Sequence, residues 1–259
     1  MKNLIKAQFF QLKRNRIVLF ILGGVTLMNI VEVFGEGIVG TQNRSVGFVF
    51  ANAGMFMFLI AALAGVMVAV LGAGEDFRDR TFNYEIMNGH ARRDIFISRV
   101  VVGMCVGTIV YLITLIIPLI IGSLVLGFGS EIKVGELLLR IVLSIFVEIR
   151  LICVFIGITF LFRNLALGLG IAGAYLFGGL VFAETIGSKS ALLGLTSFAK
   201  LSEFVSWMTY TLGEKINEIY VYGKHIDFLE GFSLVAISLG IGIAMLFISC
   251  FFFKKDDVE

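Results

Sequence analysis

Glu148 and Arg150 stand near the middle of a predominantly apolar run, residues 137–162, and their charges ask for an explanation before anything else in the chain. Residues two apart on a helix project to different sides, so this acid and this base do not pair simply with each other. A charge at the centre of a bilayer costs about 2.5–3.5 kcal/mol even on the most lenient scale. Each therefore needs a partner on another helix or access to water. Two readings stay open: part of a substrate path or gate, and a structural interhelix pair formed with Glu32 or across a dimer. A third makes Glu148 the proton carrier of a proton-coupled transporter. Glu32 and Glu184 lie near the ends of apolar runs, where shallow burial accounts for them.

The densest polar chemistry lies in residues 75–99, where charges of both signs surround a short aromatic and apolar centre. Thr81 is suited to cap a helix start, and Asn88-Gly89 to stop one. Between them Phe82, Tyr84, Ile86 and Met87 form an apolar patch on a helix too short to bury it. Such a patch calls for a groove on a partner. The plainer alternative is a solvated loop whose arginines only fix topology. A second helix restarts near Ala91.

Enzymatic chemistry finds little support. His90 and His225 fall on opposite sides of the topology derived below, and no serine or cysteine has a nearby base. No G-x-x-x-x-G-K-[ST] occurs, so the chain does not bind and hydrolyse nucleotide by a P-loop. Cys105, Cys153 and Cys250 all lie in apolar runs and read as packing residues rather than as disulfides or metal ligands. No cofactor or metal is expected in this chain. A net charge of +2 is too small to suggest nucleic acid as a partner.

The elements that position these residues follow from composition. The 259 residues are 58% hydrophobic and 15% charged, with a mean hydropathy of +0.98, whereas soluble domains carry about a quarter charged residues. The expected fold class is an all-α integral membrane protein made of one transmembrane domain, residues 1–259. Six stretches approach the length of about 20 residues needed to cross a bilayer: 17–34, 55–73, 100–128, 137–162, 165–182 and 232–253. Lys2, Lys6, Lys13, Arg14, Arg16, Arg78, Arg80, Arg92, Arg93, Arg99, Arg163, Lys254 and Lys255 fall on one side of these spans. Positive residues are retained in the cytoplasm, so both termini and residues 75–99 are placed inside, and the protein in the plasma membrane.

Residues 1–16 carry Lys2, Lys6 and Lys13 on a narrow arc beside Leu4, Ile5, Phe9 and Leu12. They read either as a helix lying on the inner membrane surface or as a basic flank. Residues 187–230 form a long extracellular segment with enough apolar residues to make short helices dipping into the outer leaflet; Lys200 and Glu203 disfavour a seventh span. Small residues recur every four positions at Ala61, Gly65, Ala69 and Ala73, at Gly170, Ala174 and Gly178, and at Gly103 and Gly107, a pattern that brings helices close. Pro118 is placed to kink the third span.

The order Glu75, Phe77, Arg78, Thr81, followed by a short helix and an arginine-containing return to the third span, resembles the inner loop of ABC type-2 exporter permeases. That loop typically reads Glu-x-aromatic-Arg-x-Gly-Thr; here Arg80 stands in the glycine position, and His90-Ala91 where proline is common. The basic start, six spans and long outer segment extend the resemblance over the chain. It implies that the short helix is a coupling helix, with Glu75, Phe77, Arg78, Thr81, Phe82, Tyr84, Ile86 and Met87 forming its docking region. It further implies cytoplasmic ABC ATPase subunits that bind ATP and Mg, a second permease, identical or related, and a path between the two permeases. Small, Phe-rich permeases of this form export hydrophobic or membrane-active peptides, including toxins and antimicrobial peptides; drugs and lipids are the alternative substrates. The rival class is a membrane scaffold that transports nothing.

Overall fold

A computed structural model describes residues 2–38, 45–78, 81–129, 132–186, 197, 201, 205–212, 215–222 and 225–255; for some, among them 81–83, 176–186, 205–212 and 215–222, it describes the backbone alone. Helices α1 (Lys2–Arg14), α2 (Arg16–Ile38), α3 (Val46–Arg78), α4 (Thr81–Met87), α5 (Arg92–Leu126), α6 (Val134–Phe162) and α7 (Leu165–Ile186) precede a hairpin of β1 (Val205–Leu212) and β2 (Lys215–Tyr222), and α8 (Phe228–Lys255) follows. Within hydrocarbon a backbone must satisfy its own hydrogen bonds, and the apolar runs accordingly form long helices. Helices α2, α3, α5, α6 and α8 are each long and apolar enough to cross a membrane, and α7 carries a shorter apolar stretch, Leu165–Tyr175, among the described residues. The chain is a multi-pass, helical integral membrane protein.

Helices α3 and α6 form the buried centre of the bundle, while α2 and α8 lie toward its edge. Small residues decide the closest contact. A Cβ added to Gly65 would come within 2.8 Å of the Gly107 carbonyl oxygen, and one added to Gly107 would come equally close to the Gly65 oxygen; Gly103 faces Ala69. Two of the three small-residue stripes thus pack α3 on α5 within the chain. Along the third, a Cβ at Gly170 would meet nothing within 4 Å.

Pro118, inside α5, has no N–H to donate to the carbonyl of Thr114 one turn earlier. Asn29 of α2 fills that role, its Nδ2 donating to the Thr114 oxygen at 3.0 Å. Backbone N–H groups at the start of α3 are satisfied similarly from outside the helix: Val46 donates to Gly127 O at 3.0 Å and Gly47 to Phe128 O at 2.9 Å. Gly127, with φ 77°, makes the turn that presents those carbonyls.

Helix α1 is amphipathic in fact. Leu4, Gln8 and Leu12 face inward, whereas Lys6, Phe9, Phe10, Lys13 and Arg14 are exposed. Leu12 packs over Gly72 of α3, and Gln8 Nε2 donates to the Gly72 carbonyl at 3.2 Å. This places α1 at the end of the bundle where α3 leaves, α4 lies and α5 begins.

One detail of the expected fold is corrected. Ser197 and Leu201 are helical, as expected for a short helix before the last span, but 205–222 is an antiparallel hairpin, with Val205 opposite Tyr222 and Leu212 opposite Lys215. The physical reason is composition: Val205, Trp207, Thr209, Tyr210 and Thr211, then Ile216, Ile219, Tyr220, Val221 and Tyr222, are β-branched or aromatic and favour a pleated backbone. Of the outer segment, 187–196, 198–200, 202–204, 213, 214, 223 and 224 lie outside the described residues.

Candidate functional site

The α4 end is built from the ends of five helices. Phe77 of α3 meets Phe160 of α6 edge-on at 5.2 Å between ring centroids, Phe96 of α5 meets Phe160 at 4.8 Å, and Phe253 of α8 meets Phe160 at 5.1 Å. Edge-to-face rings at such distances add about 0.5–1.5 kcal/mol per pair beyond burial. The cluster gives α4 and its neighbours a rigid floor. Glu75, buried beside it, accepts a hydrogen bond from Asn15 Nδ2 at 2.6 Å. Asn15 in turn caps α2, its Oδ1 accepting from Ile17 N at 2.9 Å. Glu75 thereby ties the end of α3 to the α1–α2 joint.

Helix α4 ends as its sequence suggested. His90 N donates to Glu85 O and Gly89 N to Ile86 O, with Gly89 at φ 83°, a Schellman stop that consumes the last carbonyls of the helix. Glu85 forms an ion pair with Arg99 of α5 at 2.7 Å, and Ile86 packs toward the core. Tyr84 and Met87 face away, 67% and 82% exposed.

The eight residues expected to form the docking region are therefore divided. Glu75, Phe77 and Ile86 serve the bundle itself, Tyr84 and Met87 are available to a partner, and the side chains of Arg78, Thr81 and Phe82 lie outside the described residues. Beside Phe77 a cavity of about 380 Å³ is lined also by Arg163, Asn164, Leu165, Ala166 and Leu169. Arg163 closes α6 in the left-handed region at φ 49°. Asn164 Oδ1 then starts α7 by accepting from Ala166 N at 2.9 Å.

The mid-bundle charges separate as the two-residue spacing requires. Glu148 is fully buried, neither carboxylate oxygen has a hydrogen-bond partner among the described residues, and it faces α3, where a Cβ on Gly65 would collide with Oε1. Arg150 is buried on another face and donates from Nη2 to Ser197 Oγ at 2.9 Å, with Gly242 of α8 close by. Glu148 and Arg150 do not pair with each other. Glu148 is enclosed by the protomer, so a partner across a dimer does not reach it in this conformation.

Arg140 was passed over in the sequence although it lies in the same apolar run as Glu148 and Arg150; it joins a hydrogen-bonded network at the opposite end. It donates to Glu136 Oε1 at 3.2 Å and to the Leu201 carbonyl at 2.8 Å. Glu136 also accepts from Ile226 N at 3.3 Å and contacts His225 Nδ1 at 3.0 Å. The i, i+4 spacing of Glu136 and Arg140 was the available signal. Through this network both flanks of the hairpin are tied to the first turns of α6. The Glu85–Arg99 and Glu75–Asn15 pairs had no comparable signal, because they join separate helices.

A family model described as ABC-2 family transporter protein matches residues 4–179, from α1 into α7, and includes the whole of α4 and its anchors. A search of curated proteins found no match. A match over more than half of the sequence settles membership: the chain belongs to the ABC-2 transporter family, as a multi-pass membrane component of the kind that works with an ABC ATPase subunit.

Proposed function

We propose that this chain is the permease subunit of an ATP-driven exporter, with its α4 end in the cytoplasm and α4 docked on the ATPase subunit. The observation that carries the reading is the outward face of α4. Tyr84 and Met87 are exposed on a helix whose other side is fixed by Ile86 and by the Glu85–Arg99 pair. Apolar side chains presented on a helix whose backbone is already held in place are anchors suited to a groove, since little backbone entropy is lost on docking. Positive residues cluster at the same end, in α1 and at the start of α5, which supports the cytoplasmic placement. ATP and Mg belong to the partner subunit in this reading. A second permease, identical or related, completes the path.

Hydrophobic or membrane-active peptides are the substrate class we assign, on the resemblance and on the 26 phenylalanines. Drugs or lipids are the second reading. Tyr84→Ala with Met87→Ala is expected to lower retention of the ATPase subunit on the purified permease at least tenfold, with membrane insertion unchanged. Equal retention by the double variant would overturn docking through α4. Reconstituted vesicles supplied from outside with Mg·ATP together with a fluorescent amphipathic peptide or a fluorescent phospholipid, so that inside-out permeases carry substrate into the lumen, separate the two substrate readings.

A further inference from the structure

Arg99 is 3% exposed although it lies only two turns into α5, and its guanidinium reaches α4: Nη2 donates to Glu85 Oε1 at 2.7 Å. The neighbouring residues Ile95, Phe96 and Val100 are buried in the core, so this stretch of α5 is locked to the bundle. Helix α4 joins α5 covalently through residues 88–91, a connection turned by Gly89. A joint of that kind alone would let α4 pivot. The ion pair supplies a second attachment on the other side of the turn, and two attachments fix an orientation. Charge-assisted hydrogen bonds are short and directional. Opening the pair would leave the buried Arg99 guanidinium without its Glu85 carboxylate, which favours the closed arrangement even though Glu85 itself is only half-buried.

We infer that Arg99 is a positioning residue: through Glu85 it fixes α4 to α5, so that a displacement imposed on the Tyr84 and Met87 face is delivered to the membrane span of α5 as one body. This rests on the reading of α4 as the ATPase-docking helix. Helix α5 then carries the displacement onward, since its backbone touches α3 at Gly107 and Gly65.

The test uses a cysteine-free permease with its ATPase subunit, spin-labelled at Leu124→Cys and Phe228→Cys, exposed positions near the far end of α5 and the start of α8. The distance between the labels is compared without nucleotide and with Mg·ATP. A shift is expected in the parent and should vanish in Arg99→Met and in the neutral double variant Glu85→Gln, Arg99→Met, with ATPase retention within twofold of the parent. The double variant leaves no stranded charge and keeps the test valid if Arg99→Met alone misfolds. The charge swap Glu85→Arg, Arg99→Glu should restore at least half of the shift. A separate label at Asn88→Cys on the permease alone should become at least twofold more mobile in Arg99→Met. Persistence of the ATP-dependent shift without the pair, or no recovery in the swap, would overturn the inference. Retention of the ATPase subunit when Tyr84 and Met87 are both alanine overturns the docking reading instead, a result distinct from either Arg99 outcome.

Discussion

The side chain of Asn29 donates to the backbone oxygen of Thr114 at 3.0 Å, and Thr114 is the residue whose helical partner Pro118 removes. A side chain on α2 thus replaces a backbone hydrogen bond missing from α5. Interhelical hydrogen bonds in membranes average about 0.6 kcal/mol and reach about 1.7. Asn29→Leu is expected near the upper figure, because the orphaned carbonyl has no water to turn to. In the Pro118→Ala background, which returns the N–H, the same change should cost less than half as much. Thermal unfolding of the four proteins in detergent, read as a double-mutant cycle, checks this; additive effects would show that Asn29 does not serve the proline gap.

Gly65→Ala and Gly170→Ala make a contrasting pair. The first adds a methyl group 2.8 Å from the Gly107 oxygen and against Glu148, the second adds it to open space. Overpacking of a tight contact costs about 1–3 kcal/mol, so Gly65→Ala should lower the unfolding temperature while Gly170→Ala leaves it unchanged. Equal stability of the two would mean that α3 and α5 separate easily at this crossing.

At the opposite end the same network contains one deep and one shallow member. Arg140→Met takes the fully buried cation away from Glu136 and leaves the Leu201 carbonyl without its Arg140 donor. Loss of one partner from a buried pair costs about 3–5 kcal/mol, an upper figure here because Glu136 keeps Ile226 N and His225. His225 is an exposed member of that network, and exposed pairs contribute about 0–1 kcal/mol. His225→Ala should therefore be nearly silent in denaturation where Arg140→Met is severe. Protease cleavage within 205–222 should also become faster in Arg140→Met, because the flank of the hairpin is released.

Orientation is testable directly. Asn88→Cys and Lys133→Cys place exposed thiols at the two ends of the bundle. In intact cells a membrane-impermeant maleimide should label Lys133→Cys alone, and permeabilised cells should label both. Labelling of Asn88→Cys in intact cells would invert the topology and remove the cytoplasmic docking of α4.

The helices were legible because a spanning run must be apolar for its whole length, and the α4 stop was legible because Asn88-Gly89 is local chemistry. The hairpin was missed: the apolar residues of 205–222 were read for burial, and their β-branched and aromatic character, which favours strand, was not weighed. The split within the docking region was not legible either. Phe77 and Met87 look alike in sequence, yet one rests on Phe160 and the other faces outward, a difference set by where α6 and α8 end. Glu75 matched the family pattern, but its partner Asn15 stands 60 positions away, and no local rule connects them.

The ring cluster under α4 has a consequence for the order of assembly. Phe77, Phe96, Phe160 and Phe253 belong to four helices, and α8 is the last of these to leave the ribosome. Chains insert and fold from the N-terminus as they are made. The floor beneath α4 therefore stays one ring short until α8 has inserted, and a half-made permease offers a looser platform than a finished one. Completion of the membrane bundle is thereby registered at the α4 end, the surface proposed for docking.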